Sequence, residues 1–316
     1  MCLRGTLATM FLRVSVAGLL LFGASACGSD DDGTSGDGGH GTGGGATTSS
    51  SANGGGGGGA NTGGGGQGGE GGSANPGTPT IVAVGYGGRR LRSTDLGLTW
   101  DSLVEDDANG GDDDNLLRAA VYAHGLFIAA GWRIHTSPDG VHWTERTVDG
   151  QQWCGGLASG NGITLCTGGC GDSVYTSDGT TWQAAGDATP GECAHMRSLA
   201  FGNGRFVARG DNDRMVTTTD GMTWTDLPTY AAGNVIFRDG AFYANGEGSF
   251  IHSSDGLTWD TQTGAYPTDD FGYGAYFRGP WKGKIERSVD ASTWNQVFND
   301  DGNALSAFAF GYAPSE

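Results

Sequence analysis

An all-β fold is what this chain of 316 residues predicts: a ring of six units, each a sheet of four antiparallel strands. Three observations predict it. An aspartate turn followed a few residues later by tryptophan is written six times between Ser93 and Trp294. Those tryptophans recur roughly every 35 to 43 residues, the period of one sheet in a circular array. From Ile81 onward apolar and polar residues alternate with a period of two, and helical periodicity is almost absent.

The chain ahead of that region reads differently. Residues 1–26 look like an export signal: Arg4 and Arg13 are basic, and Val14 to Phe22 is mostly apolar but too short to span a bilayer. Met10 is a second candidate start. Ala24-Ser25-Ala26 offers a small-residue cleavage site, while Gly23-Ala24-Ser25-Ala26-Cys27 resembles a bacterial lipobox with alanine where leucine is commoner. Both readings cut before Cys27. Removing the signal takes away Cys2 and leaves Cys27, Cys154, Cys166, Cys170 and Cys193, an odd set for an exported chain. A lipid on Cys27 leaves four cysteines for two disulfides, in any of three pairings. The alternative is a soluble secreted protein with a free thiol. The expected address is therefore the cell envelope, with the membrane reached through a lipid on Cys27.

Residues 27–80 form the expected tether, rich in glycine with serine, threonine and asparagine and an acidic patch at Asp30-Asp31-Asp32. A segment with so little to bury stays disordered and reaches on the order of 40 Å. Its glycines lack the flanking strand and helix that a phosphate-binding loop needs. Residues 81–316 are expected to form one domain. The formal net charge of −18 argues against nucleic acid or an anionic membrane face as partners, because both require a basic surface.

Within each repeat the aspartate accepts backbone amides to close a tight turn, and the glycine supplies the positive φ. The tryptophan is expected to start the next strand and bury there. The pairs are Asp95 with Trp100, Asp139 with Trp143, Asp178 with Trp182, Asp220 with Trp224, Asp255 with Trp259 and Asp290 with Trp294; the last has Ala291 in place of glycine. Ser93-Thr94-Asp95-Leu96-Gly97-Leu98-Thr99-Trp100 is the fullest copy and resembles the Asp box, or BNR repeat, of the sialidase-like β-propellers. The resemblance implies a propeller fold and turns that are structural and lie away from any active site.

Each repeat is expected to hold four strands, as in Met196–Phe201, Arg205–Arg209, Arg214–Thr218 and Met222–Leu227, with Asn203-Gly204 turning between the first two. The first repeat lacks its inner strand, because Ile81-Val82-Ala83-Val84-Gly85 matches a second strand. Ala304 to Phe310 matches an inner strand and has no successor. Joining them gives a six-bladed β-propeller of four-stranded antiparallel blades, closed by the C-terminal strand completing the first blade, which removes the open flank a linear stack would leave unpaired.

Loops from fourth to first strands share a face with loops from second to third strands and surround the central pocket. That face is expected to be acidic, with Glu105, Asp106, Asp107, Asp112, Asp113, Asp114, Asp211, Asp213, Asp269, Asp270, Asp300 and Asp301. Solvated carboxylates and a calcium site are both open readings. Sialidase resemblance implies three substrate-holding arginines. Only Arg118 and Arg197 stand at the equivalent place, with Gly155, Gly233 and Ser306 in other blades, and a carboxylate ligand would be poorly attracted to an acidic face. His195 stands near Glu192 and Arg197 and is either a ligand or catalytic group or a packing residue. Trp153, Tyr230, Phe271 and Tyr273 are candidate sugar-stacking rings. The four later cysteines are expected to staple blade three, where Gly155-Gly156 and Gly168-Gly169 should pack weakly. The ligand-binding candidates are thus Arg118, Trp153, His195, Arg197, Asp269 and Asp270. The expected function is noncatalytic binding of a glycan, peptide or protein; the alternative is a glycoside hydrolase, which needs two opposed carboxylates.

Overall fold

The computed structural model describes residues 77–104, 115–148, 153–245, 249–264 and 270–315. Cys27, the signal and nearly all of the tether lie outside these residues, as do Glu105 to Asp114 and Asp269. Among the described residues no helix is long and apolar enough to cross a membrane.

Six four-stranded antiparallel sheets make a β-propeller. Blade one holds β1 (Thr78–Gly85), β2 (Arg90–Ser93) and β3 (Asp101–Val104). Blade two holds β4 (Leu117–Ala123), β5 (Leu126–Gly131), β6 (Ile134–Ser137) and β7 (Thr144–Arg146). Blade three holds β8 (Cys154–Gly160), β9 (Ile163–Gly168), β10 (Ser173–Thr176) and β11 (Gln183–Ala184). Blade four holds β12 (Met196–Gly202), β13 (Arg205–Gly210), β14 (Arg214–Thr218) and β15 (Thr225–Tyr230). Blade five holds β16 (Val235–Arg238), β17 (Ala241–Asn245), β18 (Phe250–Ser253) and β19 (Asp260–Gln262). Blade six holds β20 (Asp270–Gly272), β21 (Ala275–Arg278), β22 (Lys284–Ser288) and β23 (Asn295–Asn299), and β24 (Leu305–Ala313) returns to blade one.

The closure expected from the unpaired halves is the one observed. β24 is the innermost strand of blade one and runs antiparallel to β1, from Thr78 opposite Ala313 to Gly85 opposite Leu305. Its end is clasped from both sides: the Tyr122 hydroxyl of blade two donates to the Tyr312 carbonyl at 2.9 Å, and the Tyr273 hydroxyl of blade six donates to the Gly311 carbonyl. Its beginning is held by Arg89, only 1% exposed, which pairs with Asp300 and donates to the Asn303 carbonyl at 2.8 Å. Ring closure is thus secured by hydrogen bonds that pair the inner edge of β1 along its length with β24 and tie β24 to the neighbouring blades.

The core lies between blades as well as within them. Val82, Val84 and Ala309 of blade one pack with Ala120, Phe127 and Ala129 of blade two, and Phe277 of blade six packs with Ile81 and Phe308 of blade one. Inner strands are small-residue strands because they converge on an axis. Gly156 shows the reason: a Cβ there would stand 2.5 Å from the Leu199 amide nitrogen of blade four. Glycine in blade three therefore permits close backbone approach, where the sequence suggested weak packing.

The aspartate turns form as expected. Asp139 Oδ1 accepts the Val141 and His142 amides, each at 2.8 Å, and Ser137 Oγ accepts the Gly140 amide at 2.8 Å. The same pattern holds at Asp178, Asp220 and Asp255. At Asp95 the added Leu96 takes φ 63°, and the accepted amides move to Leu98 and Thr99. These turn amides keep the fourth strand from beginning early: it starts just after each tryptophan, so blade four's runs Thr225–Tyr230 and does not include Met222.

Candidate functional site

Every inner strand of the first four blades carries an irregularity at the same place. Leu117 pairs with Gly131 and Ala119 with Ala130, so Arg118 is an extra residue with no partner in the ladder. Gly155, Arg197 and Ser306 are extra in the same way. The second strand of each of these blades ends in glycine; at Gly85, Gly131 and Gly168 the carbonyl just before the bulged strand occupies the space a Cβ would fill, 1.8 Å from the Leu116 oxygen at Gly131, and at Gly210 the Met196 side chain does. A bulge re-aims its side chain and often sits at a functional rim. All four extra residues line one pocket of ≈ 280 Å³ at the mouth of the ring, beside Tyr86, Asn234 and Trp281. Its size is at the lower end for ligand sites.

Two of the four bulge positions have long side chains, and they flank a third candidate. Gly155 has no room for a side chain: a Cβ there would stand 1.9 Å from the Met196 carbonyl oxygen of blade four and 2.7 Å from the Trp153 indole. The Arg118 guanidinium lies 5.9 Å from the centre of that indole and the Arg197 guanidinium 5.3 Å from it. Blades two, three and four thus place cation, aromatic ring and cation side by side. Trp153 is also 6.4 Å from Trp132 and 6.1 Å from His195, ring centre to ring centre.

His195 is oriented from behind. Its Nδ1 lies 3.0 Å from Asp211 Oδ2, and Arg197 Nε donates to Asp211 Oδ1 at 2.9 Å. The Arg197 guanidinium holds the Asp211 carboxyl below its ordinary range, against a smaller opposing effect of burial. The segment enters blade four under the Cys170–Cys193 disulfide, and Cys154–Cys166 joins β8 to β9. These two disulfides settle the pairing that the sequence left open.

Four of the six ligand candidates, Arg118, Trp153, His195 and Arg197, therefore form one cluster. Asp269 lies outside the described residues, and Asp270 begins β20 only 7% exposed, away from the described lining. Of the acids expected on this face, Glu105, Asp106, Asp107, Asp112, Asp113, Asp114 and Asp269 lie outside the described residues; among the described ones none lines the pocket, whose charged lining residues are Arg118 and Arg197. Asp211, Asp213 and Asp300 are each paired with an arginine. In blade five the lining residue is Asn234 and not Gly233. Tyr273 sits in the turn between first and second strands, at the other end of its blade, and Phe271 packs on Tyr276 at 4.6 Å. Tyr230 is exposed but does not line the pocket. The sequence reading missed Trp132 and Trp281, exposed by 48% and 63% at connections of second to third strands. For Trp132 the available signal was a large aromatic directly after a glycine-ended second strand, and for Trp281 one in the Gly279-Pro280-Trp281 connection.

No protein-family model matches this chain, and no curated protein matches it. Solved propellers do. A chain of the nidogen/laminin complex is 11% identical, covering 75% of this chain and 99% of its own, with a TM-score of 0.51. YCF48 bound to D1 peptide is 18% identical over 75% of this chain and 94% of its own, with a TM-score of 0.44. Virginiamycin B lyase from Staphylococcus aureus is 12% identical over 71% and 85%, also at 0.44. At these identities the first likeness shows the fold alone, and the fold, a six-bladed β-propeller, is what this chain shares with it.

Proposed function

We propose that this chain is an exported propeller of the Asp-box kind, anchored by a lipid on Cys27, that binds a ligand noncatalytically at the mouth of its ring. The observation that supports it most is the Arg118–Trp153–Arg197 row, contributed by three blades, whose two arginines line the pocket. An indole flanked by guanidinium groups suits a ligand with a flat apolar face and oxygen acceptors around it, since the ring supplies contact area and the arginines supply forked donors. A glycan unit fits that description within the available volume, and a peptide side chain or terminus is the competing occupant.

The test is a titration of the full chain against glycan and peptide arrays, followed by calorimetry on the best ligand. Trp153→Ala should weaken binding at least tenfold, about 1.4 kcal/mol. Arg118→Ala should weaken it with a melting temperature close to that of the parent. Binding unchanged in both variants would place the ligand elsewhere. Turnover of fluorogenic glycosides by the parent chain would favour the hydrolase reading. No carboxylate lines the pocket among the described residues, so its acid and base would have to come from residues such as Asp106 or Asp269. For the anchor, Cys27→Ala should release the chain from the membrane fraction and abolish its labelling with a fatty acid.

A further inference from the structure

We infer that opening the Cys170–Cys193 disulfide turns the entry to blade four into a zinc site made by Cys170, Cys193 and His195. The two sulfurs and an imidazole nitrogen already lie within 4.8 Å of one another. While the disulfide stands, neither sulfur is a ligand, because zinc takes thiolate. Reduction supplies two such donors beside an imidazole that is already positioned. Asp211 holds Nδ1 of that ring at 3.0 Å, which leaves Nε2 for a metal and fixes the ring's orientation. A carboxylate behind a histidine is the usual support of a metal-binding imidazole. Three protein donors leave a fourth tetrahedral position open to solvent.

The two disulfides of this chain differ in the property that decides which one opens. Cys154 and Cys166 are 0% and 1% exposed, inside the sheet of blade three. Cys193 is exposed and Cys170 half-buried, at the surface of the connecting segments. Thiol exchange needs access to a sulfur, so a dithiol reductant reaches Cys193 first. Its thiolate attacks Cys193 Sγ and expels Cys170 as thiolate. Its second thiol then attacks the mixed disulfide, freeing Cys193 and leaving the reductant as a disulfide. Two electrons have moved, and two cysteine thiols have formed. Zinc binding then displaces their protons to solvent.

The site adjoins the mouth of the ring, because the His195 ring stands 6.1 Å from Trp153 and Asp211 also holds Arg197. A metal on His195 would thus be felt through Asp211 at Arg197.

The test uses the full chain, treated with limiting phosphine, alkylated and mapped, and separately titrated with cobalt(II) and then zinc. Cys170 and Cys193 should be alkylated before Cys154 and Cys166. The reduced chain should develop a thiolate-to-cobalt absorption band that zinc abolishes, at one metal per chain, whereas the oxidised chain should not. Asp211→Asn should weaken zinc binding about tenfold, as loss of a supporting carboxylate does. Near-UV circular dichroism of the reduced chain, recorded before metal is added, separates site loss from unfolding. The inference is overturned by a band that persists in His195→Ala, by zinc binding no tighter in the reduced chain than in Cys193→Ser, or by loss of the near-UV signal on reduction alone.

Discussion

The two faces of this ring are made by the same six repeats, yet they are held in different ways. On the turn face each aspartate closes its own hairpin with amides two to four residues away, as Asp255 does with Leu257 and Thr258. On the mouth face the decisive contacts join residues far apart: Arg89 with Asp300, Gly156 against Leu199, Arg118 and Arg197 around Trp153. The aspartate turns of one face are local solutions repeated, and that face is tied between blades by Asn161, Asn203 and the tyrosine clasp on β24. The other is a single long-range solution in which each blade contributes something different. Damage to the aspartate turns should therefore come in small independent steps, and damage to the mouth in large cooperative ones.

The sharpest way to break that contrast is to end the chain at Ala304. Without β24 the inner edge of β1 is unpaired, and Ser306 and Leu305 leave the mouth. Cooperative thermal unfolding should be lost, as read by near-UV circular dichroism and limited proteolysis. Arg89→Ala comes next. It leaves Asp300 unpartnered by its guanidinium and empties a buried site, at a cost of about 3 kcal/mol in urea unfolding. Gly156→Ala should cost about 1 to 3 kcal/mol, because a methyl group cannot enter the space between blades three and four without moving a strand.

The turn face sets the smaller effects. Backbone amides hold the Asp178, Asp220, Asp255 and Asp290 carboxyls below the ordinary range, Thr181 leading at Asp178 and Thr293 at Asp290. A carboxyl whose folded value is depressed contributes stability that is present above its unfolded value, near 4, and is lost as pH falls through the lowered folded value. Urea midpoints should thus hold steady from pH 7 to about 5 and then decline smoothly below about pH 4. Asp220→Asn should flatten that decline slightly, without abolishing it. The smallest change is a gain. Ala291 stands where other turns have glycine and takes φ 57°, so Ala291→Gly should stabilise by about 0.5 to 1 kcal/mol. A large loss from any single turn-face aspartate would show that the turns are coupled, and the contrast between the faces would fall.

Much of the fold was legible because the signals that specify it are short-ranged. An aspartate, a glycine and a tryptophan at fixed spacing close a turn by bonds within their own segment, and a period of two marks the strands. Even the closure could be read, since an orphaned second strand at one end and an orphaned inner strand at the other have one mutual partner. The cluster of Arg118 and Arg197 was visible as a shared position in two repeats. Trp153 stood among possible stacking rings, but its place between the arginines depends on Gly155, whose missing side chain opens the slot.

Sequence by itself determined the number of blades, the strand order and the chemistry of the turns, because each follows from residues near one another in the chain. Tertiary structure alone decided that Arg118 and Arg197 line the pocket at the mouth, that Asp211 serves His195 and Arg197 together, and which cysteines pair. Those outcomes depend on the distances between blades, and such distances are set by how closely glycine lets neighbouring backbones approach the axis.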